Sequence, residues 1–285
     1  MTTTLRTATP ADAAAAGTIC YTAFKAIAES HRFAPDFPDP ESAIGLMDHM
    51  LQRDDIDAVV AERDGRVIGS NFLWRDGQVA GVGPITIDPQ AQNGGVGRRL
   101  MEAVLERANQ HDIAAVRLVQ AAYHGRSLSL YTKLGFAVRE PLSVFQGPAI
   151  DKLPPGHRVR AATPDDAAAA DALAMRLLGF RRSGELAAAI GQGSAQVVER
   201  DGRITGYTTG IGFFGHAVGE ALSDLQALIG AAPVFAGPGF MVPTRNAPLM
   251  HWCLQHGLRI VQPMSLMTLG PYDEPIGPFL PSILY

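Results

Sequence analysis

A glycine-rich stretch in the first half of the chain has the residue types and spacing to bind a phosphate group. Gln92-Asn93-Gly94-Gly95-Val96-Gly97 follows an apolar, strand-like run at 82–87, and a helix-like run at 98–108 follows it directly. A turn of this kind directs several backbone N–H groups toward one point, and the positive end of the helix dipole lies at the same point. The stretch therefore predicts a site for a pyrophosphate group.

The residue pattern of this stretch differs from that of other nucleotide-binding loops. A P-loop needs Lys and then Ser or Thr after its last glycine, whereas Arg98 and Arg99 stand there. A dinucleotide-binding fingerprint needs an acidic residue at the end of a second parallel strand, and none stands at the expected distance. Residues 210–215 match Gly-x-Gly-x-x-Gly, but no helix-like run follows them, which indicates a chance match.

A second motif, Tyr131-Thr-Lys-Leu-Gly135-Phe136, ends a helix-like run that starts near Ser127. Together with Gln92-x-x-Gly95-x-Gly97 after Asp-Pro, this motif resembles the GNAT N-acetyltransferase superfamily, and the resemblance is most specific over residues 57–140. It implies that acetyl-CoA is the co-substrate, and that Tyr131 lies near the thioester sulfur and donates a proton to the departing thiolate. Without the loop, Tyr131 would be interpreted as a core aromatic residue.

The resemblance also implies which residues contact acetyl-CoA. The loop would hold the pyrophosphate, the strand around 85–87 would pair with the pantetheine amides, and His124 stands where the family often has Asn. The binding candidates are Ile85, Thr86, Ile87, Gln92, Asn93, Gly94, Gly95, Val96, Gly97, Arg98, His124 and Ser127. Four cations serve either the ribose phosphate or only as solvated surface charges: Arg98, Arg99, Arg126 and Lys133. No acidic residue in 82–87 offers a general base.

The segment between the first helix-like run and the first hairpin is acidic. Residues 25–57 contain eight acidic and three basic residues, an excess that would attract cationic amines, although it also suits a solvated helix face. Glu29, Phe33 and Asp36 are the acceptor-binding candidates in this segment. The apolar end of the chain at 278–285 is expected to be docked. It forms either the last strand of the second half or an apolar cleft in which the carboxylate of Tyr285 is the missing base.

Composition limits the classes of partner and site. The 285 residues carry a formal net charge of −4, which argues against nucleic acid as a partner. The two cysteines cannot form a disulfide framework, and the eight histidines are scattered, so no metal site is expected. The uncharged window at 225–244 contains three prolines, which argues against a membrane-spanning helix, and the first residues show no secretory pattern. These features predict a cytoplasmic protein without a membrane or nucleic-acid partner.

The chain contains an internal repeat. Residues 5–12 reappear at 159–166, the Asp-Gly hairpin of 59–66 reappears at 197–203, and 131–135 is echoed at 253–257. The second copy has no Gln-x-x-Gly-x-Gly, and Cys253 and Asn246 stand at the places of Tyr131 and His124. The repeat predicts an α+β protein with two GNAT-like domains, each a mixed and mostly antiparallel sheet flanked by helices. A catalytic domain is expected at 1–152, and a degenerate domain without the pyrophosphate loop at 157–285. The two domains would pair as a pseudo-dimer within a monomer, or the chain would form a homodimer.

Two functions fit these motifs. The first is an acetyl-CoA-dependent N-acetyltransferase, in which a primary amine attacks the thioester directly; the amine belongs to a small cationic molecule, a lysine or a peptide N-terminus. The second is a non-catalytic acyl-CoA-binding sensor or scaffold, suggested by the degenerate second copy, the missing base and His124. The intact loop and Tyr131 favour the enzyme, because a pure sensor has no need of a proton donor.

Overall fold

The computed structural model describes residues 2–285, and the chain divides into two compact units. The first unit runs to Leu118 and also includes His124–Gly135. The second unit contains Val119–Tyr123 and Phe136–Tyr285. Both units combine β-sheets with flanking helices, as the predicted α+β class requires.

The first unit begins with a strand, two helices and a β-meander. Its strands are β1 (Thr3–Thr7), β2 (Ile56–Arg63), β3 (Arg66–Asp76), β4 (Val79–Val82), β5 (Thr86–Ile87) and β6 (Ala115–Ala121), of which the last residues of β6 belong to the second unit. Its helices are α1 (Ala13–Ser30), α2 (Pro40–Leu51), α3 (Val96–Gln110) and α4 (Gly125–Lys133). The strand order is β1-β2-β3-β4-β6, and β5 pairs with β3.

The pairing of β4 with β6 is short. It is parallel and covers three residue pairs, from Val79 with Ala115 to Gly81 with Arg117. Beyond Val82 the chain turns, and β5 pairs with Gly69 and Ser70 of β3 instead. No other strand in the described part of the chain pairs with β5, so one edge of β5 is left open.

The second unit contains two sheets. Its strands are β7 (Ala137–Gln146), β8 (His157–Ala161), β9 (Gln196–Arg200), β10 (Arg203–Thr208), β11 (Ala217–Gly219), β12 (Phe240–Pro243), β13 (Arg259–Leu269) and β14 (Phe279–Leu280). Its helices are α5 (Ala167–Leu178), α6 (Ser183–Gln192), α7 (Leu222–Ala231) and α8 (Ala247–Gln255). One sheet has the order β14-β11-β10-β9-β8, and in the other β13 lies between β7 and the end of β6, with β12 at the far side of β7.

The compact units have other bounds than the domains of 1–152 and 157–285 that the repeat predicts. Strand β7 belongs to the first repeat in sequence, but both of its strand neighbours, β12 and β13, come from the second repeat. Three of its apolar side chains, Leu142, Val144 and Phe145, are almost completely buried there. Because pairing and burial decide where a strand lies, β7 belongs to the second unit.

Local features of the repeat are present in both units. The Asp-Gly turns adopt left-handed backbone at both residues, with φ of 52° and 75° at Asp64-Gly65 and of 53° and 75° at Asp201-Gly202. Arg6 binds both carboxylate oxygens of Asp12 at 2.8 Å. Arg160 binds Asp166 in the same way at 2.7 and 2.8 Å, so the first turn of each repeat is anchored alike.

The apolar window at 225–244 is not one helix. It holds the end of α7, a connecting loop and β12. Across residues 2–285, the structure has no helix with the length and apolar character needed to cross a membrane.

Candidate functional site

The glycine-rich stretch forms a tight loop between β5 and α3. Asp88 begins it by accepting a hydrogen bond from the N–H of Gln90 at 2.9 Å. Two residues then adopt left-handed backbone, Asn93 with φ 66° and Gly95 with φ 75°. The left-handed Gly95 is the N-cap of α3, so the helix begins at Val96, two residues before the predicted helical run at 98–108.

The amino end of α3 is open. Arg99 is the first residue of α3 whose N–H bonds back to the loop, to the carbonyl of Gly95 at 3.2 Å. Within the described chain, the N–H groups of Val96, Gly97 and Arg98 donate no hydrogen bond. Three unpaired donors at the positive end of a fifteen-residue helix form a site that an anionic oxygen can satisfy.

Gln92 holds the loop in shape. Its side-chain Nε2 donates to the carbonyl of Ile87 at 3.1 Å, and its Oε1 accepts from Arg126 at 2.5 Å. Arg126 also donates to the side chain of Asn93 at 3.2 Å. The sequence predicts for Arg126 either a ribose-phosphate contact or a solvated surface charge; in the structure its side chain connects α4 to the loop.

Gly97 lies where two other elements approach the helix. A Cβ atom built on it would lie 3.1 Å from Cδ1 of Ile87 and 3.6 Å from Cδ2 of Leu130. The first of these distances is shorter than an ordinary carbon contact, so the side chain of Ile87 would have to move to admit a larger residue. Gly97 therefore lets this side chain pack closely against the open helix end.

Tyr131 is buried near the end of α4. Its exposed fraction is 6%, and burial raises the pKa of its phenol to about 12, although the Ser127 hydroxyl acts in the opposite direction. The hydroxyl of Ser127 in turn lies 2.8 Å from Nδ1 of His124. Three predicted site residues thus stand one turn apart along α4.

His124 is a neutral imidazole in this setting. Its burial, and then the positive charge of Arg126 and the neighbouring His31, lower its pKa to about 4. His124 is the N-cap residue of α4, but it makes no side-chain capping bond that the described structure records. The ring is instead directed to Ser127.

The second unit has no counterpart of the open helix end. Only residues 220–221 separate β11 from α7, and the Asp224 carboxylate accepts the N–H of Ala221 at 2.8 Å. Asp224 is fully buried and also accepts a hydrogen bond from Thr205 at 2.7 Å. An internal carboxylate thus stands at the helix end where a phosphate would have to bind.

Sequence comparison assigns the chain to a family. Residues 24–136 match the model of the Acetyltransferase (GNAT) family. An IAA acetyltransferase from Azospirillum brasilense is 33% identical over 121 residues, which span 42% of this chain and 79% of that protein. The chain belongs to the GNAT acetyltransferase family. It is therefore an acetyltransferase of a family that uses acetyl-CoA, and the resemblance read from the sequence is confirmed.

Solved structures extend the likeness to the whole chain. A candidate acetyltransferase from Pyrococcus horikoshii has a TM-score of 0.77 at 17% identity, over 99% of this chain and 94% of that one. A GCN5-related N-acetyltransferase from Sphaerobacter thermophilus has a TM-score of 0.60 at 17% identity, over 95% and 97%. A tandem GNAT protein from the clavulanic acid biosynthesis pathway has a TM-score of 0.55 at 15% identity, over 95% and 100%. The likeness confirms the predicted fold class, two GNAT-like halves of mixed sheet and helix.

The residues predicted to pair with the pantetheine arm of acetyl-CoA form β5 and the position before it. Thr86 is buried, and its hydroxyl lies 3.4 Å from that of Ser70. Ile85 and Ile87 are half-buried beside it. Thr86 and Ile87 lie on the strand whose second edge is open, and the glycine loop follows them directly in the chain.

Arg98 contributes to the loop through its backbone rather than its charge. Its guanidinium is exposed and pairs with Glu102 one turn later at 2.7 Å. The side chain of Arg99 donates to the carbonyl of Thr3 at 2.9 Å. Both contacts fit the surface interpretation of these side chains.

The acceptor candidates are less clearly grouped. Glu29 is exposed and pairs with Lys25 at 3.9 Å, whereas Phe33 and Asp36 are half-buried in the loop after α1. Several other acids of this segment are already paired: Asp55 contacts Arg53 at 2.5 Å, and Asp57 contacts Arg75 at 3.1 Å. The acidic excess of residues 25–57 therefore overstates the charge available to a ligand.

Tyr285 lies in the second unit. Its main-chain oxygen accepts from Arg182 at 2.8 Å, and its ring stacks on the guanidinium of Arg182 at 4.0 Å. Phe279–Leu280 pairs with β11 as an edge strand. The end of the chain is therefore docked and contributes a short last strand, which is the first of the two predicted alternatives.

Two side-chain contacts, one in each unit, were not predicted from the sequence. The pair His124 and Ser127 is separated by one helical turn, a spacing that indicates a side-chain contact. The role of Asp224 left a weaker signal, an acid three residues after the N-cap of α7. Among residues 2–285, no group of three or more His, Cys, Asp or Glu side chains is arranged to hold a metal ion.

Proposed function

We propose that this chain is an acetyl-CoA-dependent N-acetyltransferase that transfers an acetyl group to a primary amine by direct attack, with Tyr131 as general acid. The observation that carries the proposal is the open amino end of α3 behind the left-handed Gly95. Its unpaired N–H groups fit the pyrophosphate of coenzyme A, because they offer both donors and the positive end of the helix dipole.

The residues around the loop fit the rest of that ligand. The open edge of β5 leaves backbone groups near Thr86 and Ile87 able to pair with the amides of a pantetheine arm. The second unit, where Asp224 already satisfies the helix end, lacks these features. One cofactor site per chain follows, in the first unit.

Tyr131 supplies the proton for the leaving group. Acetyl-CoA brings a thioester, which a neutral amine attacks, and the C–S bond then breaks to release a thiolate. Because the pKa of Tyr131 is raised to about 12, its phenol stays protonated at the pH where amines are acetylated, and it can donate to the sulfur. The acceptor is proposed to be a small molecule or peptide bearing a primary amine.

Incubation of the full chain with acetyl-CoA and a panel of primary amines tests this function. Release of free thiol is measured with a chromogenic thiol reagent, and the acetylated amine is identified by mass spectrometry. The panel contains polyamines, lysine peptides, peptides with free N-termini and neutral amines. We expect amine-dependent thiol release with at least one class. Tight coenzyme A binding without turnover across the panel would favour the non-catalytic sensor.

A further inference from the structure

Three polar side chains lie on one face of α4, and two of them are joined by a hydrogen bond. Ser127 follows His124 by three residues and precedes Tyr131 by four, so all three lie on the same side of the helix. Nδ1 of His124 lies 2.8 Å from the Ser127 hydroxyl. Ser127 stands one helical turn before Tyr131, and its hydroxyl acts to lower the pKa of the phenol. The result is a row of three polar groups: an imidazole, a hydroxyl and the buried phenol.

The second repeat shows what this helix position does when it has only a structural role. There Asn246 caps α8, since its side-chain oxygen accepts the N–H of Leu249 at 3.2 Å. In the first repeat His124 occupies the cap position but makes no such bond within the described structure. The ring of His124 is used for the hydroxyl of Ser127 instead of the helix end.

The residues three and seven positions after the cap residue also differ between α4 and α8. Leu249 and Cys253 stand in α8 where Ser127 and Tyr131 stand in α4. The row of three polar side chains therefore exists in the repeat whose α3 end is open, and its members are absent from the repeat in which Asp224 satisfies the helix end. A purely structural cap would have no reason to follow this division.

The groups around His124 favour a neutral ring. Arg126 lies on the same helix and His31 approaches from the end of α1, and both oppose a positive charge on the imidazole. A neutral imidazole carries one N–H and one acceptor nitrogen. It can take a proton at one nitrogen while it gives one from the other.

We propose that His124 and Ser127 form a proton relay that restores the Tyr131 phenol as it donates to the leaving thiolate. This inference rests on the proposed function, in which Tyr131 is the general acid. His124 and Ser127 act through Tyr131 and are positioning residues for the reaction.

Each proton in the relay moves by one bond. The O–H bond of Tyr131 breaks as the S–H bond of the thiol forms, and the phenolate oxygen takes the proton of the Ser127 hydroxyl. Ser127 takes the proton from Nδ1 of His124, while solvent water gives one to Nε2. The hydroxide left in solvent is neutralised by the proton that the acceptor ammonium loses, so the net transfer is from amine to thiol. Solvent exchange then returns the ring to its starting tautomer.

The raised pKa of Tyr131 explains why its phenol would need a relay. A phenol with a pKa of about 12 is a weaker acid than an ordinary thiol, whose pKa is about 8.5. Such a phenol gives up its proton readily only if its oxygen receives another in the same event.

Replacement of His124 by Asn separates the relay from a structural role. His124→Asn removes the imidazole but supplies the cap that Asn246 shows in the second repeat. We expect the melting temperature to stay the same or rise, the Kd for acetyl-CoA to stay within a factor of about two, and kcat to fall about tenfold or more. Ser127→Ala should give the same fall in kcat. Ser129→Ala is the matched control, because Ser129 is exposed on the same helix and donates only to the carbonyl of Gly125.

A double-mutant cycle links the relay to Tyr131. If the relay acts through the phenol, His124→Asn combined with Tyr131→Phe is as slow as Tyr131→Phe alone. Additive losses would overturn the relay. Wild-type kcat in His124→Asn and Ser127→Ala, with Tyr131→Phe slow, would overturn it while the proposed function stands. A wild-type rate in Tyr131→Phe would refute the proposed general acid itself.

Nitrogen NMR tests the relay without an acceptor amine. The imidazole resonances of His124 are assigned as those missing in His124→Asn of the 15N-histidine-labelled chain. We expect the Nδ1 resonance to shift in Ser127→Ala and in Tyr131→Phe, and to be unchanged in Ser129→Ala. An Nδ1 resonance that does not respond to the loss of the Tyr131 hydroxyl would show that the three groups are not coupled.

Discussion

Met264 of β13 lies directly opposite Leu142 of β7 in the antiparallel pair formed by the last long strands of the two sequence repeats. Both side chains are buried, and Leu142 also lies opposite Pro243 of β12 on its other side. Strand β7 thus has neighbours that come about a hundred residues later in the chain. The first repeat cannot complete this strand from its own residues.

A fragment of residues 1–152 should therefore fail to fold as a stable monomer. It ends after β7 but lacks β12 and β13, so Leu142, Val144 and Phe145 would be exposed with an unpaired strand edge. We expect aggregation or a non-cooperative thermal transition by circular dichroism and size-exclusion chromatography. Co-expression with residues 153–285 should recover a soluble complex. A monomeric fragment that melts cooperatively near the temperature of the full chain would contradict this account.

Two glycines of the loop should be required for coenzyme A binding for different reasons. Gly95→Ala places a Cβ on a backbone with φ 75°, at a cost of about 1 kcal/mol. Gly97→Val forces contacts with Ile87 and Leu130, and we expect its Kd by calorimetry to rise at least tenfold. Gly45→Ala is the control, because its Cβ would meet open space within α2. Wild-type affinity in Gly97→Val would remove the loop from the site.

Tyr131→Phe should lower kcat by about 10²-fold and leave the Kd for acetyl-CoA nearly unchanged, because it removes only a proton donor. The pH dependence carries a second expectation. Since burial raises the pKa of Tyr131 to about 12, its acid form persists until the pH nears that value. The kcat profile of the wild type should therefore show no fall on the alkaline side below about pH 10. A fall near pH 8 would assign the general acid to another group.

Deletion of Leu284 and Tyr285 should destabilise the chain without changing kcat per folded molecule. Arg182, which is 3% exposed, would lose the main-chain oxygen and the ring of Tyr285. Because Arg182 keeps its ion pair with Glu185, the loss is that of a hydrogen bond to a charged group, which costs roughly 2 kcal/mol in the free energy of unfolding. Urea denaturation and thiol release together measure both effects. A folded, acetyl-CoA-binding variant without turnover would instead support Tyr285 as the base.

Glu185 should make the free energy of unfolding depend on pH. Burial opposes its charge, but Arg182, His216 and a hydrogen bond from Thr209 lower its pKa to about 2, below the ordinary 4.5. Because the lowered pKa belongs to the folded state, the stabilisation is complete above pH 4.5 and is lost as the pH falls toward 2. Glu185→Gln should be less stable at neutral pH and lose less stability between pH 5 and 3. Equal slopes in the two proteins would exclude this role.

Features that depend on residues close in the chain could be predicted from the sequence. The glycines between a strand and a helix predicted a cluster of backbone N–H groups at the helix end, because that cluster depends on residues close in the chain; the left-handed backbone of Gly95 was added by the structure. The Asp64-Gly65 turn and its repeat at 201–202 were predicted in the same way. The Arg6 and Asp12 pair recurs with the repeat that contains it. Such features depend on only a few neighbouring residues, so they can be predicted from the sequence alone.

The partners of β7 could be decided only by the tertiary structure. Its alternating apolar residues predict a strand, but the same pattern would suit a neighbour from either repeat, so Leu142 gives no sign that Met264 lies opposite it. The tertiary structure also decided how much of the acidic charge of residues 25–57 is available to a ligand, since Arg75 on the neighbouring strand neutralises Asp57. Asp224 had no predicted role, and it fills its own helix end because the fold buries it there. The sequence determined which groups this acetyltransferase carries, and the packing of distant strands and helices decided which of them remain open to a ligand.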